Sequence, residues 1–369
     1  MDRRTFIQLA GPALLQASGE PAYHTVSPYA PSSDAVLPGP YRGAVTSVHS
    51  DAAVNSRGQV DGATVRKMLS AGLRSLTGAK SDRDAWAAFF APSDVVGIKV
   101  NCSGAPNIMS DPEVVGGVVE NLIGAGVKPQ QIYIYERFLN QLESVHYDRQ
   151  VPSGVHIVAV ETPRGSILGY DPHTYVEVEF FGEDDTRSNL VRLVSERFTK
   201  IINIPNMKDH GASGVTGCLK NMAYGNFSNV ARSHRHAQTH TLSFIGTLAS
   251  VEPLRSKTVL HVMDGLRGVW HGGPFVRDRR FLFYPKSILF GTDPVAMDRL
   301  LLDIIEEKRK SEGALSIFDR SMANINGRRA RKDPRVNAFI REPGHIEYAA
   351  KLGLGENDKT RIRLTALSV

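Results

Sequence analysis

The chain has 369 residues, 41% of them hydrophobic, enough for a sizeable core and too many for a disordered polymer. Its formal charge of +6 comes from 44 Lys and Arg against 38 Asp and Glu, interleaved everywhere except at Arg328, Arg329, Arg331 and Lys332. No nucleic-acid module and no aromatic–basic platform accompanies that cluster, so it reads as a solvated basic loop and nucleic acid is not expected as a partner.

The N-terminus, Met1-Asp2-Arg3-Arg4-Thr5-Phe6-Ile7-Gln8 followed by a weakly apolar run to Leu15, reads as a twin-arginine signal over 1–22 with cleavage after Gly19 or Ala22. This predicts the twin-arginine export machinery as a partner and an exported, periplasmic location. Gly11 and Pro12 interrupt the run, which falls far short of the roughly 20 residues that span a bilayer, so no stable membrane span is expected. Residues 23–44, Pro/Ser-rich from Ser27 to Pro40, read as a linker to a domain over 45–369.

Within that domain, 95–100 is a short apolar run, hence a buried strand, and 111–125 has Pro112, acids and helical apolar spacing at its start. Strands follow at 131–135 and 156–160. LVRLVSERF reads as a helix leading to the strand KIINI at 200–204, and a further helix is expected around 241–249. TVLHVMD at 258–264 and SILFGTD at 287–293 are strands, and Asp293-Pro294 opens a helix as N-cap and first-turn residue. HIEYAAKLGLG forms a last helix capped by glycine. The alternation predicts an α/β fold, a mainly parallel sheet with helices on both faces, and 163–190 predicts a small hairpin-rich insertion.

Ligands of such sheets bind beyond the carboxyl ends of the strands. Lys99, Asn101 and Cys102 close one strand, Glu136 another, Asn206 to His210 a third, Asp264 a fourth and Asp293 a fifth. The densest chemistry lies in 200–240. His210, beside Asp209 and a glycine-rich turn, suits proton transfer, and Lys220 in a desolvated pocket suits a nucleophile, a tether or an anion holder. Gly214 and Gly217 allow close approach of a cofactor, with Asn221 next to the lysine. His236 and His240, four residues apart, share a face if their segment is helical and are candidate metal ligands with Cys218. His234 belongs to the same cluster. Lys99, Asn101 and Lys208 suit an anionic substrate, and the glycine-rich stretch 264–274 adds Asp264 and His271. Cys102 and Cys218 are the only cysteines. They form a disulfide, share a metal or redox role, or are two small thiols that never meet. The fingerprints GxGxxG, GxxxxGK[ST] and GxSxG are absent from the expected places, which argues against dinucleotide, P-loop and serine-hydrolase chemistry.

The blocks DVVGIKVNCSG at 94–104, the 200–240 stretch and GTDPVAMDRL at 291–300 resemble, in the same order, the domain of unknown function 362 family, over about Val45 to Gly355. Two thiols cannot hold a cluster of four ligands, so the iron–sulfur modules of some members are not expected here. The pattern His210-x-x-x-Gly214-x-x-Gly217-x-x-Lys220, with His236 sixteen residues on, is similar to the nickel-pincer lactate racemases. That likeness implies His210 as acid/base, Lys220 as tether of a pyridinium cofactor and His236 as nickel ligand. The second catalytic histidine of those racemases has no counterpart after QIYIY, where Glu136-Arg137-Phe138 stands, and their Asp-x-x-Arg loop is replaced by 99–104. The expected function is an isomerase or oxidoreductase, metal- or organometallic-dependent, acting on a small anionic hydroxy compound. The alternative is a non-catalytic exported protein that binds a metal or small ligand.

Overall fold

The structure is a computed structural model that describes residues 21–30, 37–161, 169–234, 240–276, 278–339 and 343–369. In chain order its strands are β1 (His24–Val26), β2 (Ala44–His49), β3 (Val96–Lys99), β4 (Ile132–Phe138), β5 (His156–Glu161), β6 (Tyr170–Glu177), β7 (Arg187–Val191), β8 (Lys200–Asn203), β9 (Asn206–His210), β10 (Gly214–Thr216), β11 (Thr258–Val269), β12 (Leu282–Phe283), β13 (Ser287–Gly291) and β14 (Arg363–Ser368). The helices are α1 (Gly62–Thr77), α2 (Asp82–Ala87), α3 (Pro112–Gly124), α4 (Leu139–Glu143), α5 (Cys218–Tyr224), α6 (Thr241–Ala249), α7 (Leu254–Lys257), α8 (Pro294–Ser311) and α9 (His345–Lys351).

The main sheet runs β14-β2-β13-β11-β8-β3-β4-β5. From β11 to β5 every neighbour is parallel, and β13 lies antiparallel to both β11 and β2. The fold is therefore α/β with a mixed, mainly parallel sheet, as the alternating pattern predicts. Short continuous apolar runs form the central strands because both faces of the sheet are covered. Along β4, Ile132 and Ile134 enter the core shared with α1, α2 and α3, while Tyr133 and Tyr135 enter the core shared with α5, α6, α8 and α9. Helix starts follow the sequence signals: Asp111 accepts from the Glu113 amide ahead of Pro112, and Asp293 accepts from the Ala296 amide ahead of Pro294.

Several expectations change. LVRLVSERF is the end of β7 followed by a single π-helical turn, Leu193–Arg197, because Leu190 and Val191 are used in strand pairing. The stretch 264–274 is not all loop: β11 continues to Val269, pairing with β9. Part of the stretch read as linker is built into the fold, since β1 pairs antiparallel with β6, and β6 with β7, in a separate three-stranded sheet. Buried Arg232 locks that sheet, donating to the carbonyls of Val178 and Thr186 and to Glu183. The signal residues 1–20 and His236 lie outside the described residues. Among the described residues no helix is long and apolar enough to cross a membrane.

Candidate functional site

The chain leaves β3 for β4 on one side and reaches β8 on the other, so the strand order switches beside β3. A crevice at the carboxyl ends is expected there. The structure has a cavity of about 870 Å³ at this place, lined by residues after β3 (Asn101, Ser103), by Glu136 to Phe138 of β4, by Asp209 and His210 of β9 and by Lys220 and Tyr224 of α5. His271 to Phe275 and the segment 326–339 complete the wall.

The site is built on a hairpin that the apolar pattern does not reveal. β9 reads Asn-Met-Lys-Asp-His, and all five residues are buried. Its register with β10 sets Lys208 opposite Thr216 and His210 opposite Gly214, whose φ of +75° makes the turn. Beyond the turn the chain enters α5, where the side chain of Asp298 accepts from the amides of Cys218 (2.5 Å) and Leu219 (2.9 Å). Burial raises the Asp298 carboxyl to about 7. Gly217 stands against this carboxylate, and a Cβ there would overlap it. Gly214 packs on Ile317 and Pro343. Both glycines thus make room for protein groups, and neither lines the cavity.

Hydrogen-bond polarity fixes the charge state at the centre. His210 Nδ1 accepts from the amides of Ala212 (3.1 Å) and Ser213 (3.3 Å), so the proton of the neutral ring sits on Nε2. Nε2 lies 3.0 Å from Lys220 Nζ. An Nε2–H facing an amine needs a lone pair on that amine, so this geometry belongs to an unprotonated Lys220. Burial pushes the Lys220 amine down to about 7, and nearby Lys208 acts in the same direction. The amine also lies 4.5 Å from the centre of the Tyr224 ring, one turn along α5.

Lys208 Nζ donates to Asn101 Oδ1 (2.6 Å) and Ser103 Oγ (3.1 Å), and burial lowers it to about 7 as well. Side-chain amides continue this network from Asn101 to Asn221 and on to Asn203. Lys99 is instead neutralised by Glu136 at 3.0 Å, and the absence of a side chain at Gly225 leaves room for it. His234 has its Nδ1 2.9 Å from Ser233 Oγ, which also contacts the Val230 carbonyl and the Tyr224 hydroxyl. The other nitrogen of its ring is Nε2. That atom is buried without a protein partner, as is Thr216 Oγ1, and both residues line the cavity. Burial holds His234 well below its ordinary value.

The remaining sequence candidates have other partners. Asp209 points to the other side of β9, 3.4 Å from Arg309, so the orientation of His210 comes from backbone amides. His271 lines the cavity with both nitrogens engaged, by Arg309 and by the Ala330 carbonyl, and so anchors the wall. Asp264 lies off the cavity, accepting from the amides of Asp111 and Leu266; burial, reinforced by Asp111, raises it to about 7. His240 stacks on Phe180 at 4.9 Å and is the N-cap residue of α6. Cys218 packs on Met297 in one core and Cys102 beside Tyr147 in the other. Both cysteines are free, and burial raises both thiols, Cys102 to about 12. Tyr224, Thr216 and Asp298 escaped the sequence reading because nothing distinguishes them from ordinary core or helix residues before the fold is formed.

Fold and site together define an α/β protein with a buried, amine-lined cavity at the switch point of a mainly parallel sheet. The chain belongs to the family described as domain of unknown function (DUF362), whose model matches residues 96–303, more than half of its length. No curated protein matches the chain. Among solved structures it is similar to a protein from Thermotoga maritima, at 10% identity and a TM-score of 0.34, over 69% of this chain and 59% of that one. The chain thus matches less than two thirds of that protein's length, and the likeness carries no functional argument.

Proposed function

We propose that this chain is an enzyme of the isomerase or oxidoreductase type that moves a proton on an anionic hydroxy or oxo compound, with His210 and Lys220 as the acid/base pair. The observation that supports it is the 3.0 Å contact between His210 Nε2 and Lys220 Nζ on the cavity wall. His210 offers a proton while Lys220 offers a lone pair, so at pH near 7 the pair both gives and takes one. A buried amine lowered to about 7 on the cavity wall, in contact with a histidine, exceeds what a plain ligand binder needs. Lys208 lies behind that wall, donating to the lining residues Asn101 and Ser103.

The nickel and tethered pyridinium implied by the racemase likeness are tested by the donor set. Lys220 supplies an amine suited to a tether. Among the described residues, however, no three His, Cys, Asp or Glu side chains stand together as metal ligands, and His236 lies outside them. The chemistry above uses only side chains of this chain.

The test is solvent exchange. A panel of 2-hydroxy and 2-oxo acids is incubated with the protein in deuterated buffer and followed by NMR. Deuterium should enter at the carbon next to the carboxylate or carbonyl with the native chain and not with His210→Ala. The rate should rise as pH passes upward through about 7, because Lys220 then loses its proton. Equal exchange in the variant and the native chain would sink the reading.

A further inference from the structure

We infer that Lys220 is a covalent nucleophile that forms an imine with the carbonyl group of an oxo acid carrying an extended apolar body. This rests on the reading of the cavity as a catalytic site and deepens it by naming the bond formed and the substrate class.

Three observations converge. The first is the state of the amine: the two backbone amides on His210 Nδ1 leave Nε2–H as a donor, and that donor requires the Lys220 lone pair to be present. A lysine poised in this way on the wall of a cavity has a nitrogen ready to attack carbon. The second is the pair of buried polar atoms without protein partners, Thr216 Oγ1 and His234 Nε2. Buried polar groups are nearly always satisfied, so these two mark where polar atoms of a ligand belong. The His234 ring lies 5.2 Å from that of His210, close enough for the two imidazoles to handle protons of one reacting centre. The third is the shape and charge of the mouth. A volume of about 870 Å³ is near the upper end for a drug-sized ligand and far larger than a three-carbon acid needs. Phe138, Phe275 and Phe339 line it, and the first two are exposed to solvent. Arg328 and Arg331 also line it, exposed and without an ion pair among the described residues. Behind the wall, Lys208 donates to the lining residues Asn101 and Ser103. A ligand with an anionic end, a carbonyl and an apolar body meets all of these at once.

The chemistry balances without an outside reagent. Lys220 Nζ adds to the carbonyl carbon and the carbonyl π pair moves to oxygen, giving a carbinolamine. The C–O bond then breaks, and both amine protons leave with that oxygen as water, relayed by His210 and His234. The product is a neutral imine, or its protonated form after uptake of one proton.

The experiment is reductive trapping of the full-length protein with sodium borohydride in the presence of phenylpyruvate or pyruvate, read by intact mass and peptide mapping. Hydride from borohydride converts the imine to a stable secondary amine. The expected result is an adduct on Lys220, in higher yield with phenylpyruvate, absent in Lys220→Met and increasing as pH rises through about 7. Trapping on the native chain needs no turnover, so it does not depend on a variant folding. No phenylpyruvate adduct at Lys220, or total adduct on the chain equally abundant in the native protein and Lys220→Met, overturns the inference. Deuterium exchange that persists without an adduct would overturn the imine alone and leave the acid/base reading standing. An adduct without exchange would support the imine and sink that reading.

Discussion

At the scale of single residues, the site is a problem in buried charge. Desolvation is the largest cause that lowers both Lys208 and Lys220, and Lys208 further disfavours protonation of Lys220. Replacing Lys208 by Met should therefore raise the Lys220 titration midpoint above about 7, readable in the pH profile of reductive trapping or by NMR of labelled lysine. The same change carries a stability signature. Lys208 has a folded pKa of about 7 against an ordinary value of 10.5, so the folded state holds its proton less tightly than the unfolded one. The native chain thus gains stability as pH rises from about 7 towards the unfolded value. Lys208→Met removes that cost, so its advantage in urea denaturation should be larger at pH 6 than at pH 10. A larger advantage at pH 10 would mean that the amine is charged and well paired.

At the scale of elements, α5 is held by a carboxylate from another helix. Asp298 meets the amides at its start, and Gly217 is the residue that lets it come so close. Gly217→Ala should displace one of the two and cost roughly 1–3 kcal/mol, as overpacking of a filled core does, with Lys220 reactivity falling because the helix that carries it shifts. Arg232 has the corresponding role in the small sheet. Arg232→Ala leaves Glu183 and two carbonyls without their donor, and removal of one member of a buried pair costs about 3–5 kcal/mol. Thermal denaturation should report it.

The elements that sequence revealed and those it hid differ for a physical reason. β3, β4, β8 and β13 are continuous apolar runs because both sheet faces are covered, and such runs are visible without a structure. β9 is equally buried yet polar at four of five positions, because its partners are amides, hydroxyls and amines of the site rather than hydrocarbon. A period-based reading sees it as a loop. Arg309 is hidden in the same way: in a run that reads Glu-Glu-Lys-Arg-Lys it looks like a solvated residue, but it is wholly buried, joining Asp209, Trp270 and His271. His210 and Lys220 were legible as chemistry from their glycine-rich setting, whereas their direct contact follows from a hairpin register that spacing alone does not give. His234 was legible as part of a histidine cluster, and only the fold shows that its Nε2 is buried without a protein partner on a residue that lines the cavity.

For the whole molecule, the basic cluster changes meaning. In sequence Arg328, Arg329, Arg331 and Lys332 read as a solvated loop, and Arg329 does pair with Asp333 in that manner. Arg328 and Arg331, however, overlook the mouth of the cavity. A charged rim of this kind raises the capture rate of an anion more than its final affinity, and salt screens it. The double variant Arg328→Ser, Arg331→Ser should slow association of phenylpyruvate severalfold at low ionic strength in stopped-flow measurements, with the difference shrinking in high salt. An effect independent of salt would place the two guanidinium groups in direct contact with the ligand.

The pairing of β14 with β2 has a consequence outside catalysis. Residues 363–368 run alongside 44–49 and cover an otherwise open row of backbone donors and acceptors on a strand whose valines belong to the core. Open strand edges recruit other chains. The closing strand itself is mostly solvent-facing and carries Arg363. A chain shortened before Arg363 would keep its cavity residues but expose β2 as a template, so its failure should appear as growing particles in light scattering before any loss of helical signal. Residues 363–368 act as a guard on colloidal solubility, a role that an activity assay would not detect.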